Sequence, residues 1–133
     1  MSTTHTLGPW MLETVPTSVG VCYKIGPFPP RHDSKKQRHA CLYADYPSDS
    51  NPADQELLAN AHLISAAPEL LEALAKIVDN AEQRAFEDWL ANNSPSGCVE
   101  QVQDQWEQSS EFADFCDDWE VERAAIAKAR GEA

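Results

Sequence analysis

A chain of 133 residues has room for one domain, and at this size folding buries roughly two-thirds of the unfolded surface. With 42% hydrophobic residues, among them four Trp, four Phe and three Tyr, there is apolar surface for a core, which excludes wholesale disorder. A formal net charge of −12 argues against direct nucleic-acid binding, because phosphate contacts need a basic surface.

The first half reads as short strands, Trp10 to Thr14, Val19 to Ile25 and His39 to Ala44, punctuated by Pro16, Gly20, Gly26, Pro27, Pro29, Pro30 and Pro47. A three-stranded antiparallel meander is expected. Gly26 to Arg38 is too rich in Pro and charge for regular structure and is expected as an exposed hairpin loop carrying Arg31, Lys35, Lys36 and Arg38, the one basic cluster. Helical signals then take over. Asn51 suits a cap, Pro52 the first helical position and Asp54 the first turn of a helix reaching Ala66. Pro68 restarts the chain as a second helix with the apolar stripe Leu70, Leu71, Leu74, Ile77, Val78, Ala81, Ala85 and Trp89, ending near Asn92 or Asn93. Past Ser94-Pro95-Ser96-Gly97, Val99, Val102 and Trp106 recur at helical spacing. Ser109 or Ser110 can then cap a last helix bearing Phe112, Phe115, Trp119 and Ile126, with Lys128, Arg130 and Gly131 as stop signals. The expected class is α+β. It is read as a single domain over 1–133, with a β-meander part (1–50) and a helical part of about four helices (51–133) that contains an acidic segment, 85–122.

That segment holds most of the charge imbalance. Residues 1–66 carry five Lys/Arg against six Asp/Glu, and residues 67–133 carry five against sixteen. Between Arg84 and Arg123 no basic residue occurs, yet Glu87, Asp88, Glu100, Asp104, Glu107, Glu111, Asp114, Asp117, Asp118, Glu120 and Glu122 do.

His5-Thr6-Leu7-Gly8-Pro9-Trp10 and Ala59-Asn60-Ala61-His62-Leu63-Ile64-Ser65-Ala66-Ala67-Pro68-Glu69-Leu70-Leu71-Glu72-Ala73-Leu74 resemble a group of small phage and prophage proteins. That group opens on HTPGPW, carries ANARLIAAAPELLEAL and ends in a segment similar to Ala124-Ala125-Ile126-Ala127-Lys128-Ala129-Arg130-Gly131. Leu7 stands where the group has Pro, and His62 where it has Arg. The resemblance covers about a third of the chain and implies origin in a mobile element, of the kind whose accessory genes target host machinery. The acidic segment lies outside the matched blocks. Gly8-Pro9-Trp10 itself reads as core packing, with Pro fixing the entry to a strand and Trp supplying apolar contact.

Signatures of catalysis are missing: there is no GxSxG, P-loop, GxGxxG or HExxH, and no calcium-loop spacing, so neither an enzyme nor a cofactor is expected. Cys22, Cys41, Cys98 and Cys116 stand singly and are expected as reduced thiols, mostly core; His39, Cys41 and Cys22 lack a fourth metal ligand. No apolar run approaches the about 18–20 residues of a membrane span, and residues 1–9 do not read as a signal peptide, so the host bacterial cytosol is the expected compartment. The candidate site is a partner-binding one. Glu100, Asp104, Glu107, Glu111, Asp114, Asp117, Asp118, Glu120 and Glu122 would imitate a phosphate array toward a basic surface of a host protein, with Trp106 and Trp119 as anchors. This makes an inhibitor of anti-CRISPR or other anti-defence type, a DNA mimic, the leading expectation. The partner would be a nucleic-acid-processing defence complex. The alternatives are an acidic face that only solvates the protein, and an assembly or adaptor module that forms a homodimer through its apolar helices.

Overall fold

The structure is a computed structural model and describes residues 5–46 and 54–132. Strands β1 (Met11–Pro16), β2 (Gly20–Phe28) and β3 (Arg38–Asp45) form an antiparallel sheet in the order β1-β2-β3. Five helices follow among the described residues: α1 (Gln55–Ser65), α2 (Ala67–Asn93), α3 (Val99–Glu107), α4 (Ser110–Asp118) and α5 (Glu120–Ala129). The class is α+β. No helix is long and apolar enough to cross a membrane among the described residues. The chain divides into two compact units, one reaching to Leu70 and the other starting at Leu71; α1 therefore goes with the sheet rather than with the later helices.

In the first unit, Thr17 closes the β1–β2 hairpin. Its Oγ1 accepts from the N–H groups of Val19 (3.3 Å) and Gly20 (3.0 Å), and its own N–H donates to the Gly20 carbonyl at 2.8 Å. Side chains alternate across the pleat, so the pairing Leu12↔Ile25↔Ala40 and Tyr23↔Leu42 puts these five on one face. There Leu57, Leu58 and Ala61 of α1 cover them, and Ile25 and Ala61 are fully buried. Trp10 joins this core, edge-on to Phe28 with centroids 5.2 Å apart, while its indole N–H donates to the Thr6 carbonyl at 3.0 Å. Two blocks distant in sequence meet here: a Cβ on Gly8 would sit 2.9 Å from Cβ of Pro68. The β2–β3 loop is shorter than expected, since β2 continues to Phe28 through an irregularity between Ile25 and Phe28. Within it Arg31 pairs with Asp33 at 3.3 Å and the Arg38 guanidinium donates to the Pro29 carbonyl at 2.9 Å.

Gly20 faces the backbone of β3. An added Cβ would run into the Ala44 carbonyl oxygen and lie 2.8 Å from Asp45 Cα. Both belong to a strand held in the ladder, so neither can retreat without breaking sheet hydrogen bonds. Gly20→Ala is therefore expected to cost about 1–3 kcal/mol in urea unfolding, the range for overpacking; a change within roughly 0.5 kcal/mol, as at an open surface, would contradict this packing.

Asp54 caps α1, its carboxylate accepting from the Leu57 N–H at 2.9 Å. Asp54 is thus the cap rather than a first-turn residue, and the expected cap Asn51 and first-turn Pro52 lie outside the described residues. Ala66 ends α1, and Pro68, buried, sits in the first turn of α2 where its missing N–H is no loss.

In the second unit, Val78, Phe115 and Ile126 form the buried centre, flanked by Leu71, Leu74, Ala75, Ala81, Phe112, Cys116 and Trp119. Ile77, expected in the α2 stripe, is 54% exposed, and Leu70, also expected there and the last residue of the first unit, is 53% exposed. Ile77 shares a line of the helix with Arg84, seven residues on, and that line turns away from the core of the second unit. An aromatic chain continues the packing. Trp106 lies 5.6 Å from Phe86, 5.6 Å from Trp89 and 5.4 Å from Phe112, centroid to centroid. Ser109 caps α4 as expected, its Oγ accepting from the Phe112 N–H at 3.1 Å. The single last helix of the sequence reading is two. Trp119, at φ −113° and ψ 23°, leaves helical geometry and separates α4 from α5. Gly131, at φ +73°, ends α5 by donating its N–H to the Lys128 carbonyl at 3.1 Å.

Candidate functional site

The carboxylates singled out in the sequence spread over three short helices. Glu100, Asp104 and Glu107 recur at i, i+4 and i+7 on α3, and Glu111, Asp114 and Asp118 at i, i+3 and i+7 on α4, so each set forms a stripe along one helix face. Asp117 lies off the α4 stripe, and Glu120 and Glu122 occupy the first turn of α5. All are exposed except Glu122, which is half-buried. Side chains on the same helices make such spacing possible: Trp106 and Phe115 hold α3 and α4 by their apolar faces, which leaves the acidic faces outward.

Their contacts within the chain are few and neutral. Gln103 donates to Glu107 at 3.2 Å and Ser110 to Glu111 at 3.2 Å. Among the described residues, none of the carboxylates from Glu87 to Glu122 has a Lys, Arg or His within ion-pair distance. The carboxylates of α3, α4 and the start of α5 are thus not ion-paired within the chain among the described residues.

The two aromatic anchors differ. Trp106, expected to reach a partner, is 1% exposed and belongs to the core, because its indole fills the space between Phe86, Trp89 and Phe112. Trp119 is half-buried and lines a groove of about 320 Å³ between α2 and α4. The groove brings together Asp88 and Trp89 of α2 with Glu111, Asp114 and Asp118 of α4, over a floor that includes Phe115. Four carboxylates therefore converge on one aromatic concavity. Glu100, Asp104, Glu107, Asp117, Glu120 and Glu122 lie outside it. Spacing in the sequence does not single out Asp88, since its place depends on α2 pairing with a helix more than twenty residues downstream.

The cysteines are less uniformly core than expected: Cys22 is buried and Cys116 half-buried, but Cys41 and Cys98 are exposed. Cys22 and Cys41 are neighbours on the sheet face opposite α1. Burial pushes the Cys22 thiol above its usual range, and the adjacent Cys41 adds to this. Tyr43 beside them is raised as well, first by its hydrogen bond with Cys41. No group of three or more His, Cys, Asp or Glu gathers as a metal site among the described residues.

None of the curated proteins or solved structures matches the chain. A family model, described as Salmonella phage P22 protein Y8K6, matches residues 1–133.

Proposed function

The chain belongs to the Salmonella phage P22 protein Y8K6 family, and from this phage origin we propose that it inhibits a host defence system by binding a basic protein surface with its acidic helices. The observation that carries the reading is the array of exposed carboxylates on α3, α4 and α5, which has no compensating cation of its own among the described residues. Such an array repels nucleic acid and attracts the grooves that bind it. A nucleic-acid-processing defence complex in the bacterial cytosol, of the CRISPR or restriction type, presents a surface of that kind. The inhibitor acts by occupancy, so it needs neither catalytic residues nor a cofactor.

A second reading, an assembly or adaptor module that pairs with its own copy, is favoured by the exposed Leu70 and Ile77 on α2. Salt separates the two. Exposed charges more than about 8 Å apart are largely screened at physiological ionic strength, whereas apolar association persists or strengthens with salt. Affinity capture from a bacterial host lysate is expected to retain a basic nuclease or effector at low salt and release it at high salt. Retention of nothing but the chain itself, at both salts, would replace inhibition by self-assembly.

A further inference from the structure

We propose that Cys22 and Cys41 form a reversible dithiol–disulfide pair, in which a hydroperoxide oxidises the exposed Cys41 and the buried Cys22 closes the bridge. Such a pair works whatever the acidic helices bind. Both residues lie on the sheet face opposite α1, on the adjacent strands β2 and β3. Cys22 stands between its direct partners Val15 on β1 and Tyr43 on β3 and is buried, whereas Cys41, opposite Lys24, is exposed. The register thus makes the two cysteines diagonal neighbours. Such neighbours have Cα atoms about 7–8 Å apart with their side chains closer, just beyond the roughly 7 Å within which a disulfide forms without backbone movement. Here the two thiols are hydrogen-bonded to one another. The β2–β3 ladder also breaks into an irregularity between Ile25 and Phe28, so the strands have room for the small approach that a bridge needs.

Exposure divides the work between the two sulfurs. The Cys41 thiolate attacks one oxygen of hydrogen peroxide and the O–O bond breaks. Cys41 becomes a sulfenic acid, and the hydroxide released takes up the proton the thiol gave and leaves as water. The Cys22 sulfur then attacks the Cys41 sulfur and the S–O bond breaks, the second hydroxide leaving as water with the Cys22 proton. Two thiols and one peroxide thus give one disulfide and two waters, sulfur being oxidised and peroxide oxygen reduced. Burial above all holds Cys22 as the thiol, and Cys41 adds to this, while the Lys24 charge and the Tyr43 hydroxyl favour the thiolate that the second step uses. An exposed cysteine without such a neighbour goes on to the irreversible sulfinic acid. The bridge closes residues 23–40 into a ring, so oxidation ties β2 to β3 at the base of the basic loop that carries Arg31, Lys35, Lys36 and Arg38.

The test treats the full chain, reduced and then freed of reductant, with hydrogen peroxide and counts thiols by alkylation under denaturing conditions and mass spectrometry. All four cysteines are expected to take the label before oxidation and only Cys98 and Cys116 after it. The unlabelled chain should lose about 2 Da as two hydrogens leave, and proteolysis should release Cys22 and Cys41 in one linked peptide pair. A dithiol reductant should restore every label. Cys41→Ser, at an exposed position, should abolish the bridge, and Cys22→Ala should leave Cys41 as a sulfenic acid that dimedone traps. Cys98→Ser/Cys116→Ser should still form the bridge in full, which keeps the test intact even where a Cys22 variant does not fold. Four labels after peroxide, a bridge that maps to Cys98 or Cys116, or one that links two chains would each overturn the pair. So would conversion of Cys41 to the sulfinic acid while Cys22 still takes its label.

Discussion

Trp106→Ala is expected to destabilise the helical unit by about 3–5 kcal/mol, the range for truncating a buried large aromatic. Trp106 is 1% exposed and lies within 5.6 Å, centroid to centroid, of rings from α2 and α4. Removing it therefore takes away the link that ties α3 to both neighbours. Edge-on and tilted aromatic pairs contribute roughly 0.5–1.5 kcal/mol each beyond area burial, and all three pairs of Trp106 go at once. Against a total stability of about 5–15 kcal/mol for a domain, such a loss leaves α3 and α4 detached at moderate temperature. Near-UV circular dichroism during thermal unfolding reads the change directly, since the aromatic cluster supplies the signal. Trp119→Ala, by contrast, removes a half-buried ring and should cost less. A loss under about 1 kcal/mol for Trp106→Ala would mean that the cluster is looser than its geometry.

The same residue illustrates how far the sequence can be read. Spacing placed Trp106 on a helix, but spacing alone does not say whether an aromatic beside acids faces a partner or its own core. Burial decides it, and burial depends on Phe86 and Trp89, which arrive from a helix about twenty residues earlier. The strands were legible because Pro16, Gly20 and the proline-rich loop break the chain at points where turn chemistry is strong. The long helix α2 was legible from its period, yet not its inner edge, since Leu70 and Ile77 are as apolar as Leu71 and Val78 and only the packing separates them. The break at Trp119 left no mark, because Phe112, Phe115, Trp119 and Ile126 keep helical phase across a single non-helical residue and neither Gly nor Pro stands there. The acidic stripes could be written down from the sequence, whereas the groove could not. It exists only where α2 and α4 meet and bring Asp88 to Asp114 and Asp118.

Neutralising Asp114, Asp117, Asp118 and Glu122 together, as D114N/D117N/D118N/E122Q, separates what these residues do for the fold from what they do for a partner. None is paired with a cation in the chain among the described residues, so the fold loses no ion pair when their charge goes. The substitutions instead relieve repulsion in a protein of net charge −12, and unfolding is expected to shift upward or stay level. Binding should move the other way. At roughly 0.2–1 kcal/mol for each exposed pair made with a basic partner, four lost charges amount to about 1–4 kcal/mol, on the order of a five- to several-hundred-fold weaker complex. Most of that loss should be visible at low salt and shrink as ionic strength rises, because screening removes the same interactions in the parent protein. A purely solvating face would behave differently. It would lose solubility as the charge fell but leave capture of the partner unchanged, and a variant that remains fully competent at low salt would assign these four carboxylates to that role.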